Sequence, residues 1–397
     1  MRVALNAQLL SFGTSYRGAG ISRYIRNLVP RLRDVSSDTF VVYLGDPDIP
    51  PDFRPDERFR LRLSRLPTRR PAVRVPWEQL WLPLALVRDG AAVLHSLGYV
   101  QPLLCPARSV LTVHDLSFLL YPGNFNRANR LYLKAFTRLS LARADRVIAV
   151  SENTKRDLVR LLGVDPAKVA VVHHGIEGFF RPIADDEELA AFRRRRGLPE
   201  RFVLFLGTIE PRKNLETLVE AFAYLKRMGL PHQLVVAGAK GWQWEPVFAA
   251  VERLGLREEI AFPGYVPYAE QPLWYNAADL FVYPSLYEGF GFPPLEAMAC
   301  GTPVVSSRTS ALPEVVGEAG LLVDPANPEE MADAMRRVLA DRDLSSLLAE
   351  RGLARARGFT WEAAARRTAA VYAEAAGFGD GKEQRTDDEN AFGRARR

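Results

Sequence analysis

The sequence predicts an α/β protein built from two Rossmann-like units that face one another across a cleft. Three observations carry that prediction. Short apolar runs of strand length alternate with stretches of helical periodicity along most of the chain, the pattern of a parallel sheet covered on both faces. A glycine-containing loop joins strand to helix near the start of each half, as in nucleotide-binding βα turns. Between the halves, residues 177–201 change composition, with Pro182, an acidic patch at 185–188 and a basic run at 193–196. The halves are then 1–176 and 177–357, each of ordinary domain size.

Bulk properties agree. The chain has 397 residues, 48% of them apolar and 25% charged, which is ordinary for a water-soluble globular protein. No apolar run reaches membrane-spanning length. The N-terminus leads straight into a strand, so no secretory signal is expected. The two cysteines, Cys105 and Cys300, lie far apart in apolar surroundings, which suits buried thiols in a reducing cytoplasmic setting. A formal charge of +6 favours anionic ligands. Nothing in the arginine distribution forms a nucleic-acid motif, so nucleic acid is not an expected partner.

The first half opens with a strand at 2–6, a loop with Gly13, Gly18 and Gly20, and a helix at 21–32 with Ile21, Ile25, Leu28, Val29 and Leu32 on one face. Strands follow at 39–44 and 60–63. Asp46-Pro-Asp48 has metal-site spacing but lies between prolines after a strand, and reads as a turn. Residues 60–88 interleave Arg60, Arg62, Arg65, Arg69, Arg70, Arg74 and Arg88 with Trp77, Trp81 and leucines. Two readings stand side by side: peripheral contact with a membrane, or a core helix at 77–87 behind a solvated arginine loop. Strands at 91–94 and 109–113 end in His95 and His114. Strand ends of this kind face the ligand crevice, which places His114 near a substrate. A helix at 127–142, a strand at 146–150, a helix capped by Ser151 and a strand at 169–173 complete the half, and His173 and His174 read as hinge residues.

The second half starts with a strand at 202–206 and the loop Gly207 to Asn214, with Asn214 as the expected cap of a helix ending near Gly229. Arg212 and Lys213 precede that helix. Cations there oppose the helix dipole, so a phosphate-binding role explains them better than stability does. Further strand–helix pairs follow, and residues 285–306 hold the densest pattern. A buried strand leads into a turn with Glu288, Gly289, Phe290 and Gly291. Pro293 and Pro294 then start a short helix carrying Glu296. A glycine loop before a helix N-terminus offers N–H groups to an anion, and a carboxylate beside it suits sugar hydroxyls. A helix at 361–375 follows, and 376–397 lacks periodicity and reads as a tail.

The run EGFGFPPLEAMACGTPVV, with seven residues between Glu288 and Glu296, resembles the signature of the retaining glycosyltransferases of family 4, which have the GT-B fold. The resemblance implies that Glu288 holds the transferred sugar, that Glu296 holds the donor ribose, and that Arg212 and Lys213 hold the diphosphate. Gly289, Phe290 and Gly291 belong to the same donor site. Many members carry arginine directly after the loop glycine, where this chain has Thr208. His114 is similar to the family's cleft histidine, and Gly18-Ala-Gly20 to its N-terminal glycine loop, so Gly20 joins the donor site. The helix at 361–375 is similar to the closing helix that completes the first domain. The implied activity moves a sugar, mannose among the candidates, from a nucleotide-sugar such as GDP-mannose to a glycan or lipid-pyrophosphate-sugar acceptor. The implied reaction needs no metal or cofactor and takes place in the cytoplasm, with or without peripheral attachment to the inner membrane face. A sugar-nucleotide epimerase or hydrolase, or a non-catalytic nucleotide-sugar-binding protein, are the alternatives.

Overall fold

The computed structural model describes residues 1–11, 20–49, 53–124 and 126–377. Seven strands form the first sheet: β1 (Arg2–Asn6), β2 (Thr39–Leu44), β3 (Phe59–Leu63), β4 (Val93–Ser96), β5 (Arg108–Val113), β6 (Arg146–Ala149) and β7 (Val169–Val171). Their order is β3-β2-β1-β4-β5-β6-β7, with every pairing parallel. Six strands form the second: β8 (Phe202–Leu206), β9 (Gln233–Ala237), β10 (Ile260–Gly264), β11 (Leu280–Tyr283), β12 (Val304–Ser307) and β13 (Leu321–Val323). Their order is β10-β9-β8-β11-β12-β13, again parallel. Each sheet reverses direction of build-up beside its first strand, the point at which open α/β sheets bind ligands. The continuous apolar strands explain the arrangement, because β8 and β11 are buried along their whole length and need cover on both faces.

The chain crosses between sheets near residue 175 and returns through the closing helix, Trp361–Ala375, which packs on the first helix, Ile21–Val35. The Tyr372 hydroxyl lies 2.7 Å from His95 Nδ1, and His95 Nε2 lies 2.7 Å from Thr112 Oγ1, so helix and sheet share one buried polar chain. At the crossing, a Cβ on Gly175 would come 2.1 Å from the Trp361 amide nitrogen, so only glycine lets the two passes touch.

Several local expectations change. The stretch between the halves is not a plain linker: Asp186–Arg196 is a helix, capped by the Asp185 carboxylate, with acids in its first turn and arginines in its last. The composition break is therefore a dipole-matched helix. Asn214 sits at the N-cap position of the Leu215–Arg227 helix, but in a left-handed conformation (φ 56°) in which its side chain caps no backbone N–H and its Oδ1 accepts from Thr217 Oγ1 at 2.8 Å. It donates instead to the Pro325 carbonyl at 2.7 Å. The arginine-rich segment is helical from Pro71 to Asp89, with a π turn at Trp77–Trp81 where Leu82 N donates to Trp77 O five residues back. The first helix runs to Val35, one turn beyond its expected end. Gly13 and Gly18, and the tail from 378 onward, lie outside the described residues. No described helix is long and apolar enough to cross a membrane.

Candidate active site at the inter-domain cleft

The C-terminal ends of β8 and β11 carry the loops with Arg212, Lys213 and Glu288. These face the ends of β5 and β6, which carry His114 and Ser151. Glu288 is the centre. Its Oε1 accepts from Lys213 Nζ at 2.6 Å, Ser285 Oγ at 2.6 Å and Tyr283 Oη at 3.0 Å, and its Oε2 pairs with Arg212 Nη1 at 2.9 Å. Burial opposes its ionisation, but Arg212 and Lys213 outweigh that and bring its pKa down to about 2. Arg212 also donates to Glu210 Oε1 at 2.8 Å and to the Tyr287 carbonyl at 2.6 Å. Burial works against the Arg212 charge, but Glu288 and Glu210 raise its pKa. Burial and the neighbouring Arg212 lower the pKa of Lys213. The two cations are therefore balanced by Glu288 and Glu210 in this conformation. Thr208 lies under the next loop, where a Cβ on Gly241 would meet its Cγ2 at 2.8 Å.

Glu296 is placed differently from a freely exposed ribose ligand. It is 2% exposed, and both carboxylate oxygens are engaged: one by Arg23 of the first helix, the other by Tyr275 Oη at 2.5 Å. A ribose hydroxyl meeting Glu296 takes an acceptor site left over by these two partners or displaces one of them. Arg23 also binds Glu177 through Nε at 2.8 Å and through Nη2, and its guanidinium lies 4.0 Å from the centre of the Phe292 ring. Glu177 further accepts from Asn27 at 2.7 Å and from Tyr268 at 2.6 Å. Sequence reasoning missed this cluster. Arg23, Asn27 and Arg31 follow one another a turn apart on the first helix, a polar stripe that reads in the sequence as a solvated face.

The glycine loop forms the seam between halves. The Gly289 carbonyl accepts from Ser151 Oγ at 2.7 Å and Thr154 Oγ1 at 3.2 Å. A Cβ on Gly289 would lie 1.8 Å from the His114 carbonyl oxygen. Gly291 adopts φ 119° and leads into the Phe292–Ala299 helix. That N-terminus is a poorer phosphate cradle than expected, because Pro293 and Pro294 lack two of the first N–H donors and Leu295 N already turns to Gly291 O. The Phe290 ring is buried against His174, with centroids 4.9 Å apart, so it serves the seam. His114 is buried, its Nε2 lies 2.9 Å from the Leu97 carbonyl, and burial lowers its pKa, which keeps it neutral. Gly20 starts the first helix, exposed and with φ 37°. Gly289 and Glu296 are covered by both halves, whereas the Arg212 and Glu288 side chains keep 19% and 12% of their surface exposed.

Two family descriptions match this chain: Glycosyltransferase Family 4 over residues 18–177 and Glycosyl transferases group 1 over residues 186–355. The O-antigen chain mannosyltransferase B of Escherichia coli is 35% identical over 269 residues, covering 67% of this chain and 70% of that one. A D-inositol 3-phosphate glycosyltransferase of Streptomyces bingchenggensis is 40% identical over 248 residues, covering 58% of this chain and about half (53%) of its own length. Among solved structures, the sucrose-phosphate synthase of Thermosynechococcus elongatus superposes with a TM-score of 0.74 at 25% identity, covering 94% of this chain and 98% of that one.

Proposed function

Since this chain belongs to the family 4, group 1 glycosyltransferases and has their two-sheet GT-B architecture, we propose that it transfers mannose from a nucleotide-sugar, GDP-mannose first among them, to a glycan or lipid-linked acceptor in polysaccharide synthesis. The observation that carries the reading is Glu288 held between Arg212 and Lys213 at the strand ends opposite His114. In the reaction, the donor diphosphate takes over the two cations. They stabilise the charge that develops as the nucleoside diphosphate leaves. Arg212 stands in for the arginine that many relatives carry at the position of Thr208. Glu288, released from part of its ion pairing, accepts hydrogen bonds from the sugar hydroxyls, and neutral His114 lines the acceptor side. Attack on the same face as departure retains configuration, with the leaving phosphate taking the acceptor proton. Fixed cations do the work for which other transferases use a metal. The acceptor side belongs to the first half, whose arginine-rich stretch suits contact with a membrane carrying lipid-linked acceptors.

The test is nucleoside diphosphate release from a panel of nucleotide-sugars, with and without a lipid-pyrophosphate-sugar acceptor, in chelator. Acceptor-dependent release from GDP-mannose, with the anomeric configuration kept in the product, is expected. Release independent of acceptor would turn the reading to a hydrolase, and no release from any donor would end it.

A further inference from the structure

The first half buries polar side chains next to His114 that no described residue satisfies. Asn6 ends β1 and Ser96 ends β4, and the two are paired in register, so their side chains share one face of the sheet. On that face Ala4, Tyr43 and Leu94 pack against Trp77, Leu82 and Leu86. Asn6 Nδ2 donates to Glu78 Oε1 at 3.2 Å, and the Gln8 amide donates to Asn6 Oδ1 at 3.5 Å. Glu78 stands on the π turn at Trp77–Trp81, a helix irregularity frequent at functional sites. Leu97, the residue after Ser96, is the one whose carbonyl meets His114 Nε2 at 2.9 Å. The group therefore lies at strand ends beside the cleft histidine.

These side chains have bonding capacity left over. Ser96 Oγ and Gln8 Nε2 are buried without a hydrogen-bond partner among the described residues. Glu78 is 5% exposed, its Oε1 meets Asn6 and, at 3.8 Å, Arg74, and its Oε2 has no hydrogen bond among the described residues. Burial pushes the Glu78 pKa up to about 7 against the pull of Arg74 and Asn6. Buried polar groups are normally paired, so unpaired ones at adjacent strand ends mark the place of a polar ligand. An amide donor, a hydroxyl and a carboxyl oxygen are the set that sugar hydroxyls can satisfy, since each hydroxyl both donates and accepts. Arg74 and Glu78 cancel in charge, which leaves no surplus cation for a phosphate. The rim is aromatic. Tyr132 and Phe136, on the helix Arg127–Arg143, are half-buried with ring centroids 4.9 Å apart. Burial first and Glu78 next push the Tyr132 pKa up to about 12 while Arg74 pulls it down, so the ring stands within reach of both charges. Such rings offer an apolar face to the C–H face of a sugar and a hydroxyl to its edge.

We propose that Gln8, Ser96 and Glu78 bind the hydroxyls of the acceptor's terminal sugar, a neutral pyranose, with Tyr132 and Phe136 against its ring. The inference deepens the transferase reading, on which it rests. The group that receives the transferred sugar is an uncharged glycan end, and any lipid phosphate stays outside this site.

The full chain, without donor, is tested by saturation-transfer NMR against methyl α-mannoside, methyl α-glucoside, the methyl glycoside of N-acetylglucosamine, and mannose 6-phosphate. Saturable binding of at least one methyl glycoside is expected, with none of mannose 6-phosphate at matched ionic strength. Glu78→Gln keeps the side-chain size. It should weaken that binding, and raise the KM of the bound glycoside as acceptor, by roughly tenfold or more, while the donor KM holds. Ser96→Ala removes a hydroxyl without a partner among the described residues, so it should weaken binding without lowering the melting temperature. Failure of every methyl glycoside to bind overturns the proposal, as does tighter binding of mannose 6-phosphate. So do variants that lose melting temperature at an unchanged acceptor KM, because these groups would then serve the fold through buried water. Nucleoside diphosphate release is followed on the same proteins. Glycoside binding with no release from any donor supports the site and ends the transferase reading. Release with no glycoside binding ends the site alone.

Discussion

Glu288 is ionised because two cations reach it, and that dependence is measurable. Its folded pKa, about 2, lies below the ordinary 4.5, so the stability it contributes is present above 4.5 and is lost as pH falls toward about 2. Denaturant unfolding across that window should show the loss in the wild type and a shallower one in Glu288→Gln; identical curves would remove the ion pairs from the account. Arg23 supplies the second residue-level case. Arg23→Ala leaves Glu177 and Glu296 buried without their cation, and should lower the unfolding free energy by about 3–5 kcal/mol. A loss under about 1 kcal/mol would mean that the cluster relaxes into water. Glu288 and Glu296 stood out because they share one short glycine-rich stretch, and Arg212 and Lys213 because cations precede a helix start, but the meeting of the two stretches across 75 residues left no local pattern. Arg23 and Glu177 did not stand out, because a partnership across 154 residues leaves none either. Nor could the sequence show that Glu296 is taken up by Arg23 and Tyr275.

At the scale of elements, the strands were readable because each is a short apolar run buried on both faces, and β8, Phe202–Leu206, has the expected bounds. The helix at Asp186–Arg196 was not, since its one inward anchor is Phe192 and its other residues are nearly all charged or small. Its stability comes from the cap and the charge gradient rather than from an apolar stripe. The closing helix makes a testable claim. Trp361, Ala365, Val371 and Tyr372 are buried in the same cluster as Tyr24, Leu28 and Val93. A chain truncated before Trp361 should unfold in two separated transitions by calorimetry, with the first half melting earlier. A single unshifted transition would show that the helix is dispensable to the first core.

For the whole molecule, the seam between halves is narrow enough for one methyl group to matter. Gly289→Ala puts a carbon where the His114 carbonyl stands, at 1.8 Å, so the halves cannot approach this closely. Each core should remain folded by circular dichroism while transfer falls by at least about a hundredfold, the usual cost of a misplaced site. Donor nucleotide should act in the opposite sense. A nucleoside diphosphate at about a hundred times its dissociation constant adds about 2.7 kcal/mol to the folded state, and the base that raises the melting temperature most identifies the donor.

The bonds from Ser151 and Thr154 to the Gly289 carbonyl, at 2.7 and 3.2 Å, have a further consequence in time. Under the proposed function, any parting of the halves to release product breaks these bonds and swings one sheet through solvent in each turnover. Such a swing is slowed by friction, whereas phosphate departure is not. Turnover should therefore slow as sucrose thickens the buffer, and Ser151→Ala should weaken that dependence.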